Sequence, residues 1–418
     1  MKVAINGIGV AGPTLAYWLQ QYGHEPVLFE KAPALRTGGY LIDFWGLGYE
    51  IAERMGVIGD LLERSYRMKR MRMVDADGEK FAGIDVEPLR AQANGRFISL
   101  ARGDLVSALF GACGGVSAHF GVWIAGLEPE QRGVRVVLSN GRREMFDVVV
   151  GADGVHSLVR ELAFGQQTLF ETLLGCHVAA FRLPGYPARN ELTYVSHTAT
   201  KRHVARVALR DNETLVLLVC RSELLAEEAT KEEATTEQQK AALRRAFGGM
   251  GWELPEILDR MDRIDELYFD RASQVHLPCW SSDRVALIGD AAACPSLLAG
   301  EGTGLAMIEA YVLAGELSEA KGDYQRAFEA YESRLRQFVI AKQKAAARLR
   351  SFFAPRTALS LWVRNLAARA MSVPFLAKRL AGGAMRDDLE LPQYEVSPTA
   401  KSRPSADSDT IERSRWLS

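Results

Sequence analysis

Apolar runs of strand length recur at four places along the chain. They cover residues 2–6, 26–29, 146–150 and 284–288, and each run predicts a buried strand. The first run leads directly into a helical pattern over residues 14–22. Strands that alternate with helices in this way predict an α/β fold built on a largely parallel sheet.

The middle of the chain has a different pattern, in which short β-rich runs follow one another closely. They cover residues 174–183, 191–195, 203–209 and 214–220 and predict an antiparallel sheet. Residues 223–248 are polar and rich in Glu, Ala and Lys, which predicts an exposed helical connection. Further on, residues 305–317 and 323–350 predict two long helices, the second with many basic residues.

A glycine-rich segment joins the first predicted strand to the first helix. Gly7 permits a tight turn, Gly9 lets the backbone approach a pyrophosphate, and Gly12 lets helix and strand pack closely. The helix begins with Pro13, which suits a first turn, and its N-terminal N–H groups are available to an anion. Glu30 ends the second strand at the distance where an acidic residue binds a ribose diol. These features predict a dinucleotide site.

Two more motifs follow the third and fourth apolar runs. The first is Gly151-Ala152-Asp153-Gly154, and the second is Gly289-Asp290, which leads into Gly300-Glu301-Gly302-Thr303-Gly304 before the helix at 305–317. With three motifs in this order, the chain resembles the flavin-dependent aromatic hydroxylases, the single-component class A monooxygenases. The resemblance runs from the N-terminus to about residue 317.

The resemblance implies a Rossmann-like FAD-binding domain of the p-hydroxybenzoate hydroxylase type. An antiparallel β-sheet substrate domain is inserted into it, and a C-terminal helical region follows. Arg102, which begins a helical run, and Lys31, beside Glu30, also fit the family pattern. The residues implied to bind FAD are Gly7, Gly9, Ala11, Gly12, Pro13, Glu30, Lys31, Arg102, Asp153, Gly154, Asp290, Gly300, Gly302, Thr303 and Gly304.

The family architecture also implies a division of the chain. The FAD-binding domain takes residues 1–70, 99–170 and 276–322. The substrate domain takes a first excursion at 71–98 and a β-sheet at 171–275. The C-terminal helices take residues 323–395, and a Ser-rich, polar composition predicts a disordered tail over residues 396–418.

The chemistry implied by the resemblance is carried by the cofactor. NAD(P)H reduces FAD, O2 adds at flavin C4a, and the hydroperoxide transfers one oxygen atom to an aromatic or polyketide-like small molecule. The backbone at Gly300 and Gly302, at a helix N-terminus, would stabilise negative charge at flavin N1 and its C2 carbonyl. The sequence leaves the catalytic side chains open, shows no Ser/His/Asp triad, and predicts no metal site.

The third motif departs from the common family pattern, because Ala293 stands where many members have His. The run Cys294-Pro295-Ser296, together with the segment from Gly38 to Asp43, resembles the branch of tetracycline-inactivating monooxygenases and polyketide hydroxylases. The substrate candidates are Tyr40, Asp43, Arg206 and Pro295, with His177, His203 and Arg210 as further polar residues on the predicted strands.

For the strand residues among these candidates, a solvent-facing or structurally paired side chain is the favoured alternative. Asp43 has an alternative of its own, since it can cap a helix that begins near Trp45. Two alternative functions also remain open. A flavin-dependent reductase of the geranylgeranyl reductase type shares the fold, and a flavin-binding accessory protein would need binding alone.

Composition argues against several other classes of protein. A net charge of −1 with scattered Lys and Arg argues against a nucleic-acid partner. Five widely spaced cysteines without a CxxC motif suggest neither a zinc site nor a disulfide framework, and we expect a reducing cytoplasm. We predict neither a signal peptide nor a transmembrane segment.

Residues 358–385 mix Leu and Trp with Arg and Lys, which permits two interpretations: a helical cap over the active site or peripheral contact with an anionic membrane. Because Pro374 divides the pattern into short helices, the cap is favoured.

Overall fold

The computed structural model describes residues 1–36, 40–187, 189–210, 212–231, 233–373 and 387–395. Gly38 and Gly39, Pro374 and the predicted tail at 396–418 therefore lie outside the described residues.

The strands are β1 (Lys2–Asn6), β2 (Glu25–Glu30), β3 (Leu41–Trp45), β4 (Arg70–Val74), β5 (Lys80–Asp85), β6 (Phe97–Ala101), β7 (Ser117–Phe120), β8 (Ile124–Glu130), β9 (Gly133–Leu138), β10 (Arg143–Phe146), β11 (Val148–Gly151), β12 (Glu171–Pro184), β13 (Thr193–Ala199), β14 (Arg202–Ala208), β15 (Glu213–Arg221), β16 (Tyr268–Val275), β17 (Ser281–Ser282) and β18 (Val285–Leu287). The α-helices are α1 (Ala11–Gln21), α2 (Gly46–Arg54), α3 (Ile58–Arg64), α4 (Glu87–Gln92), α5 (Arg102–Ala112), α6 (Leu158–Phe164), α7 (Thr236–Phe247), α8 (Leu254–Met261), α9 (Asp290–Ala293), α10 (Gly302–Glu319), α11 (Tyr324–Phe353) and α12 (Ala358–Met371).

The predicted parallel sheet is present, in the order β17-β18-β11-β1-β2-β7. Its strands pair in parallel except for the short β17, which is antiparallel to β18. In β1, Val3, Ala4 and Ile5 are fully buried, as a central strand covered on both faces requires. The carboxyl ends of β1, β11 and β18 bring the three glycine motifs to one edge of the sheet.

The apolar run at 146–150 is divided between two strands, which the sequence did not indicate. Phe146 closes β10, which pairs antiparallel with β9, and the parallel strand begins at Val148. Asp147 lies between these two strands, which belong to different sheets, and its side chain accepts a hydrogen bond from the backbone N–H of Lys2.

The predicted antiparallel sheet has seven strands where four were predicted. Their order is β16-β12-β15-β14-β13-β4-β5. The pairs are antiparallel except β13 with β4. One face packs against α7 and α8 through a cluster that includes Phe247, Leu254 and Ile257. The stretch at 223–248 is thus more than the exposed connection predicted, because α7 buries one side against this sheet.

The C-terminal part wraps around both sheets. The buried α10 packs against α1, α2 and α11, and α11 runs across to β12. Residues 387–395 pack back onto the first sheet's helices, with Leu391 buried and the Tyr394 ring against Gly315. Among the described residues, no helix is both long and apolar enough to cross a membrane.

Candidate active site

Three glycines shape the turn after β1, each for a different geometric reason. Gly7 has φ +111°, and a Cβ there would lie 2.4 Å from the Ala152 carbonyl oxygen. A Cβ on Gly12 would lie 2.0 Å from the Gly7 carbonyl oxygen, so helix and turn touch at this point. A Cβ on Gly9 meets only the Arg102 guanidinium, at 3.7 Å. Gly9 therefore leaves its backbone open to a ligand.

The carboxylate of Glu30 is fixed at the end of β2. It accepts hydrogen bonds from the backbone N–H groups of Ile8 and Ala32, both at 2.9 Å. These two bonds tie β2 to the glycine turn. Each carboxylate oxygen keeps acceptor capacity for a further donor, so Glu30 is suited to bind a ribose hydroxyl.

Asp153 organises the second motif. Its carboxylate accepts hydrogen bonds from the Asn6 side chain (2.9 Å), the Ser157 hydroxyl (2.5 Å) and the backbone N–H groups that begin α6. Burial raises the pKa of Asp153, and these bonds oppose the shift. With so many protein donors on its oxygens, Asp153 positions the loop between β11 and α6.

The third motif depends on a buried carboxyl group that our sequence analysis missed. Gly289 adopts φ +61° and donates its N–H to Glu309 Oε2 at 2.5 Å, and the Tyr331 hydroxyl lies 3.4 Å from the same oxygen. Burial raises the pKa of Glu309 from 4.5 to about 8. Its one signal in the sequence is an acidic residue in the otherwise apolar pattern at 305–317. Glu309 fixes the turn that presents Asp290.

Arg160 joins the second and third motifs. Its side chain is fully buried and donates to the carbonyl oxygens of Val155 (2.6 Å) and Ala291 (3.1 Å). Arg160 follows the second motif in the sequence, but its link to the third motif could not be predicted, because Ala291 is 131 residues away.

Two helix N-termini open into the same space. Helix α1 begins after Val10 and α10 after Glu301, and neither has a side-chain cap or an acidic residue in its first turn. Uncapped N-terminal N–H groups, with the helix dipole, favour an anion. The fold thus places one anion site beside the first motif and a second beside the third.

A single large cavity of about 2030 Å³ connects these features. Its walls come from the edge of the parallel sheet on one side and from β12, β16 and neighbouring loops on the other. The predicted site residues that line it are Gly7, Gly9, Ala11, Glu30, Lys31, Tyr40, Arg102, Asp153, Gly154, Asp290, Gly300, Gly302 and Thr303. The predicted site residues that do not line it are Gly12, Pro13, Asp43, Arg206, Pro295 and Gly304.

On the side of the seven-stranded sheet, two tyrosines meet inside the cavity. The rings of Tyr40 and Tyr268 pack edge to face, with their centroids 5.7 Å apart. Burial raises the pKa of Tyr40 to about 12 and that of Tyr268 well above its usual range. Both hydroxyls therefore stay protonated at neutral pH. The Tyr268 hydroxyl donates a long hydrogen bond of 3.5 Å to Asp270, which it would exchange for a bond to a ligand.

The remaining substrate candidates have other partners. Asp43 accepts hydrogen bonds from Ser99 (2.5 Å) and Tyr194 (3.2 Å), so it faces away from the cavity. It does not cap α2 either, whose N-cap Trp45 has no side-chain bond. Arg206 is 2% exposed and donates two hydrogen bonds to Glu253. Pro295 is buried and contributes only its carbonyl oxygen, to Gln274.

The polar strand residues also have structural partners, as the favoured alternative predicted. His177 lies beside Ser222 and stacks on Phe269, and His203 bonds Thr198. Arg210 donates to the backbone carbonyls of residues 63–65. None of the three lines the cavity. A missed residue that does line it is His156, whose pKa is raised by its hydrogen bond to Asp270.

The residues present fit a flavin dinucleotide, because two uncapped helix N-termini, the glycine turn and Glu30 share one cavity. Fold and site together define a flavoprotein. The chain belongs to the family described as FAD binding domain, whose model matches residues 1–345. It is a flavin-dependent monooxygenase with FAD as its cofactor.

Similar proteins include one named flavin-dependent monooxygenase and two solved structures. A flavin-dependent monooxygenase of Legionella longbeachae is 33% identical over 407 residues, covering 95% of this chain and 99% of that protein. The crystal structure of tetracycline destructase Tet(51) has a TM-score of 0.79 and 30% identity, covering 94% and 99% of the two chains. HpxO of Klebsiella pneumoniae, complexed with FAD and uric acid, shares the fold at TM-score 0.75 and 20% identity, covering 92% and 98%.

Proposed function

We propose that this monooxygenase uses NAD(P)H and O2 to hydroxylate a fused-ring substrate of the tetracycline or polyketide type that carries phenol or enol groups. The observation that carries the proposal is the cavity of about 2030 Å³. A pocket for one small ligand measures roughly 300–1,000 Å³. The cavity therefore has room for FAD and a second large molecule. The similarity of the chain to tetracycline destructases supports a polycyclic substrate as that second molecule.

In this proposal the role of the chain's own residues is to bind and orient FAD. The N-terminus of α1 would hold the FAD pyrophosphate and Glu30 the adenosine ribose, while the first turn of α10 would hold the flavin end. Asp290, presented by Gly289 and Glu309, binds the ribityl side. The bound flavin supplies the activation of O2 and the transfer of one oxygen atom.

The substrate would lie on the other side of the cavity, against the seven-stranded sheet. Tyr40 and Tyr268 are two polar residues of the cavity lining, which also includes the apolar side chains of Phe181 and Leu297 and the charged pair Asp270 and Arg271. Because both hydroxyls stay protonated, they donate hydrogen bonds to a phenolate or enolate oxygen. The arrangement also supports our division of the chain, since β4 and β5 join β12–β16 in one substrate-side sheet.

The test couples three measurements on the purified yellow protein. NAD(P)H oxidation, O2 uptake and product mass are followed with tetracyclines, polyketide quinones, simple phenols and aromatic acids. We expect a polycyclic substrate to stimulate oxidation and to gain one oxygen atom. Stimulated oxidation without O2 uptake would instead indicate the reductase, and flavin binding without any stimulated oxidation the accessory protein.

A variant pair tests the substrate side. Tyr268→Phe removes one hydroxyl from the cavity, and we expect kcat/KM to fall about tenfold, the effect of losing one hydrogen bond to a charged oxygen. Tyr186→Phe is the matched control, because its hydroxyl bonds Glu253 away from the cavity. Equal kinetics for the two variants would contradict the assignment of Tyr268.

A further inference from the structure

Helix α12 presents its apolar residues outward. Leu359 is 71% exposed, Trp362 62%, Val363 52% and Leu366 52%. The residues buried beneath the helix are Arg364 and Ala368, at 6% and 2%. A surface helix normally buries its leucines and exposes its arginines. This inversion leaves an apolar face without a partner among the described residues.

The exposed residues form one continuous stripe. Positions 359, 362, 363 and 366 follow the i, i+3, i+4, i+7 spacing of a single helix face, and the 49% exposed Val373 follows the helix seven residues after Leu366. At 1.5 Å per residue, the helical part of this row, from Leu359 to Leu366, is about 10 Å long. We call these five residues, Leu359, Trp362, Val363, Leu366 and Val373, the α12 stripe. Contiguous exposed apolar surface of this kind marks a binding surface.

The chain segment that carries the α12 stripe has charge of one sign. Between Glu332 and Asp387 the sequence has twelve Lys or Arg residues and no Asp or Glu. In the described part of this segment, four exposed basic side chains make no ion pair: Lys344, Arg348, Arg356 and Arg369. Arg369 follows Leu366 by three positions and is therefore its neighbour on the helix surface.

The helix is anchored to the substrate-side sheet. Ser372 accepts a hydrogen bond from the Gly83 N–H in β5, and Arg369 lies over the Phe81 ring. None of the residues of α12 lines the large cavity, and residues 374–385 of the predicted cap lie outside the described residues. With its inner side attached to β5, α12 can place the stripe against another surface without unfolding.

We propose that the α12 stripe binds the surface of an anionic phospholipid bilayer. Leu, Val and Trp side chains enter the boundary between headgroups and acyl chains, while the surrounding basic residues meet the lipid phosphates. A second copy of the chain fits less well, because a symmetric contact would bring the same positive segments together. The opposite sign of charge makes an anionic bilayer the matching partner.

The experiment measures binding of the full FAD-loaded chain to vesicles by flotation. Vesicles of phosphatidylglycerol mixed with phosphatidylcholine are compared with phosphatidylcholine alone. We expect binding to the anionic vesicles, weakened by salt, and little binding to the neutral ones. Absence of binding to anionic vesicles, or equal binding to both, overturns the proposal.

Matched variants assign the binding to the stripe. Leu359→Ser combined with Trp362→Ser should lower the vesicle-bound fraction about tenfold, whereas Leu169→Ser should leave it unchanged. Leu169 is also 71% exposed but lies on a short turn far along the chain from α12. Circular dichroism and flavin absorbance confirm that each variant is folded and loaded. Equal binding by both variants overturns the proposal, as does a dimer that the double variant dissociates.

Discussion

Gly7, Gly9 and Gly12 are the same residue type in three different surroundings. Gly7 and Gly12 are required by the protein itself, because a Cβ at either position would meet backbone atoms at 2.4 and 2.0 Å. Gly9 has no such neighbour, since the nearest atom is a flexible guanidinium at 3.7 Å. The lack of a side chain at Gly9 thus serves the cavity and what binds in it.

This difference predicts that two alanine substitutions affect different properties, one the stability of the protein and the other its binding of FAD. Gly12→Ala should lower the free energy of unfolding by about 3 kcal/mol, because backbone atoms must move apart. Gly9→Ala should change it by less than about 0.5 kcal/mol but weaken FAD binding. Urea unfolding of the apoprotein and FAD titration measure both quantities. Loss of stability in Gly9→Ala would show that its role is structural.

Glu309 predicts a pH dependence of stability. The folded chain keeps this carboxyl protonated up to a pKa of about 8, whereas the unfolded chain releases the proton near 4.5. The folded state therefore binds more protons in this window, and the stabilisation is complete below pH 4.5 and lost as the pH rises through about 8.

Glu309→Gln keeps the size of the side chain and cannot ionise. Between pH 5 and pH 8, we expect the free energy of unfolding of this variant to fall less than that of the unsubstituted protein. Urea midpoints of both proteins across that range measure it. Parallel curves for the two proteins would mean that Glu309 is ionised in the folded state.

Among the elements, α10 combines structural and binding roles in one helix. Its middle is buried against α1, α2 and α11, while Gly302 and Thr303 in its first turn line the cavity. A Cβ on Gly302 would lie 3.5 Å from Asp290 Oδ1, an ordinary contact. The first turn therefore accepts a small side chain without disturbing the packing behind it.

Gly302→Asp and Gly302→Asn test the charge preference of this helix end. The two side chains have nearly the same shape, but only Asp adds a negative charge beside the uncapped N–H groups and Asp290. We expect the Asp variant to bind FAD about tenfold more weakly than the Asn variant. Fluorescence titration of both apoproteins gives the ratio, and equal affinities would place the flavin away from the first turn of α10.

Prediction from sequence succeeded where the signal is local. The strand-turn-helix patterns and the three glycine motifs are contiguous, so the parallel sheet and one wall of the cavity followed from them. Helix starts were less accurate: α1 begins at Ala11 and α10 at Gly302, because glycines and Pro13 occupy their first turns.

Side-chain direction on the second sheet could not be predicted in the same way. Asp43 and Arg206 lie on strands, and only the partners Ser99, Tyr194 and Glu253, all distant in sequence, decide which way they face. The same holds for Arg160, whose carbonyl partner at Ala291 belongs to another strand-helix unit. Period-two alternation gives two faces but does not say which one meets the cavity.

At the scale of the whole molecule, the cavity belongs to both sheets. Its walls include Gly7 and Glu30 from the parallel sheet and Phe181 and Tyr268 from the seven-stranded sheet. FAD bound on the parallel-sheet side of this cavity would link the two halves of the fold where its ring reaches the seven-stranded sheet.

Removal of FAD should consequently destabilise both sheets together. At a free FAD concentration of 100 times its Kd, the difference in unfolding free energy is about 2.7 kcal/mol. Hydrogen exchange of the holoprotein and apoprotein should show faster exchange in β1 and β2 and also in β12 and β16. Faster exchange confined to the parallel sheet would mean that FAD does not couple the two.

Residues 387–395 contact helices that come from earlier in the chain. Asp387 accepts the Leu47 N–H across 340 residues and pairs with Lys342, while Tyr394 packs on Gly315 and its hydroxyl bonds Glu316. During synthesis, α2 and α10 leave the ribosome long before this segment exists. The helical cover of the first sheet is therefore incomplete until residues 387–395 have left the ribosome.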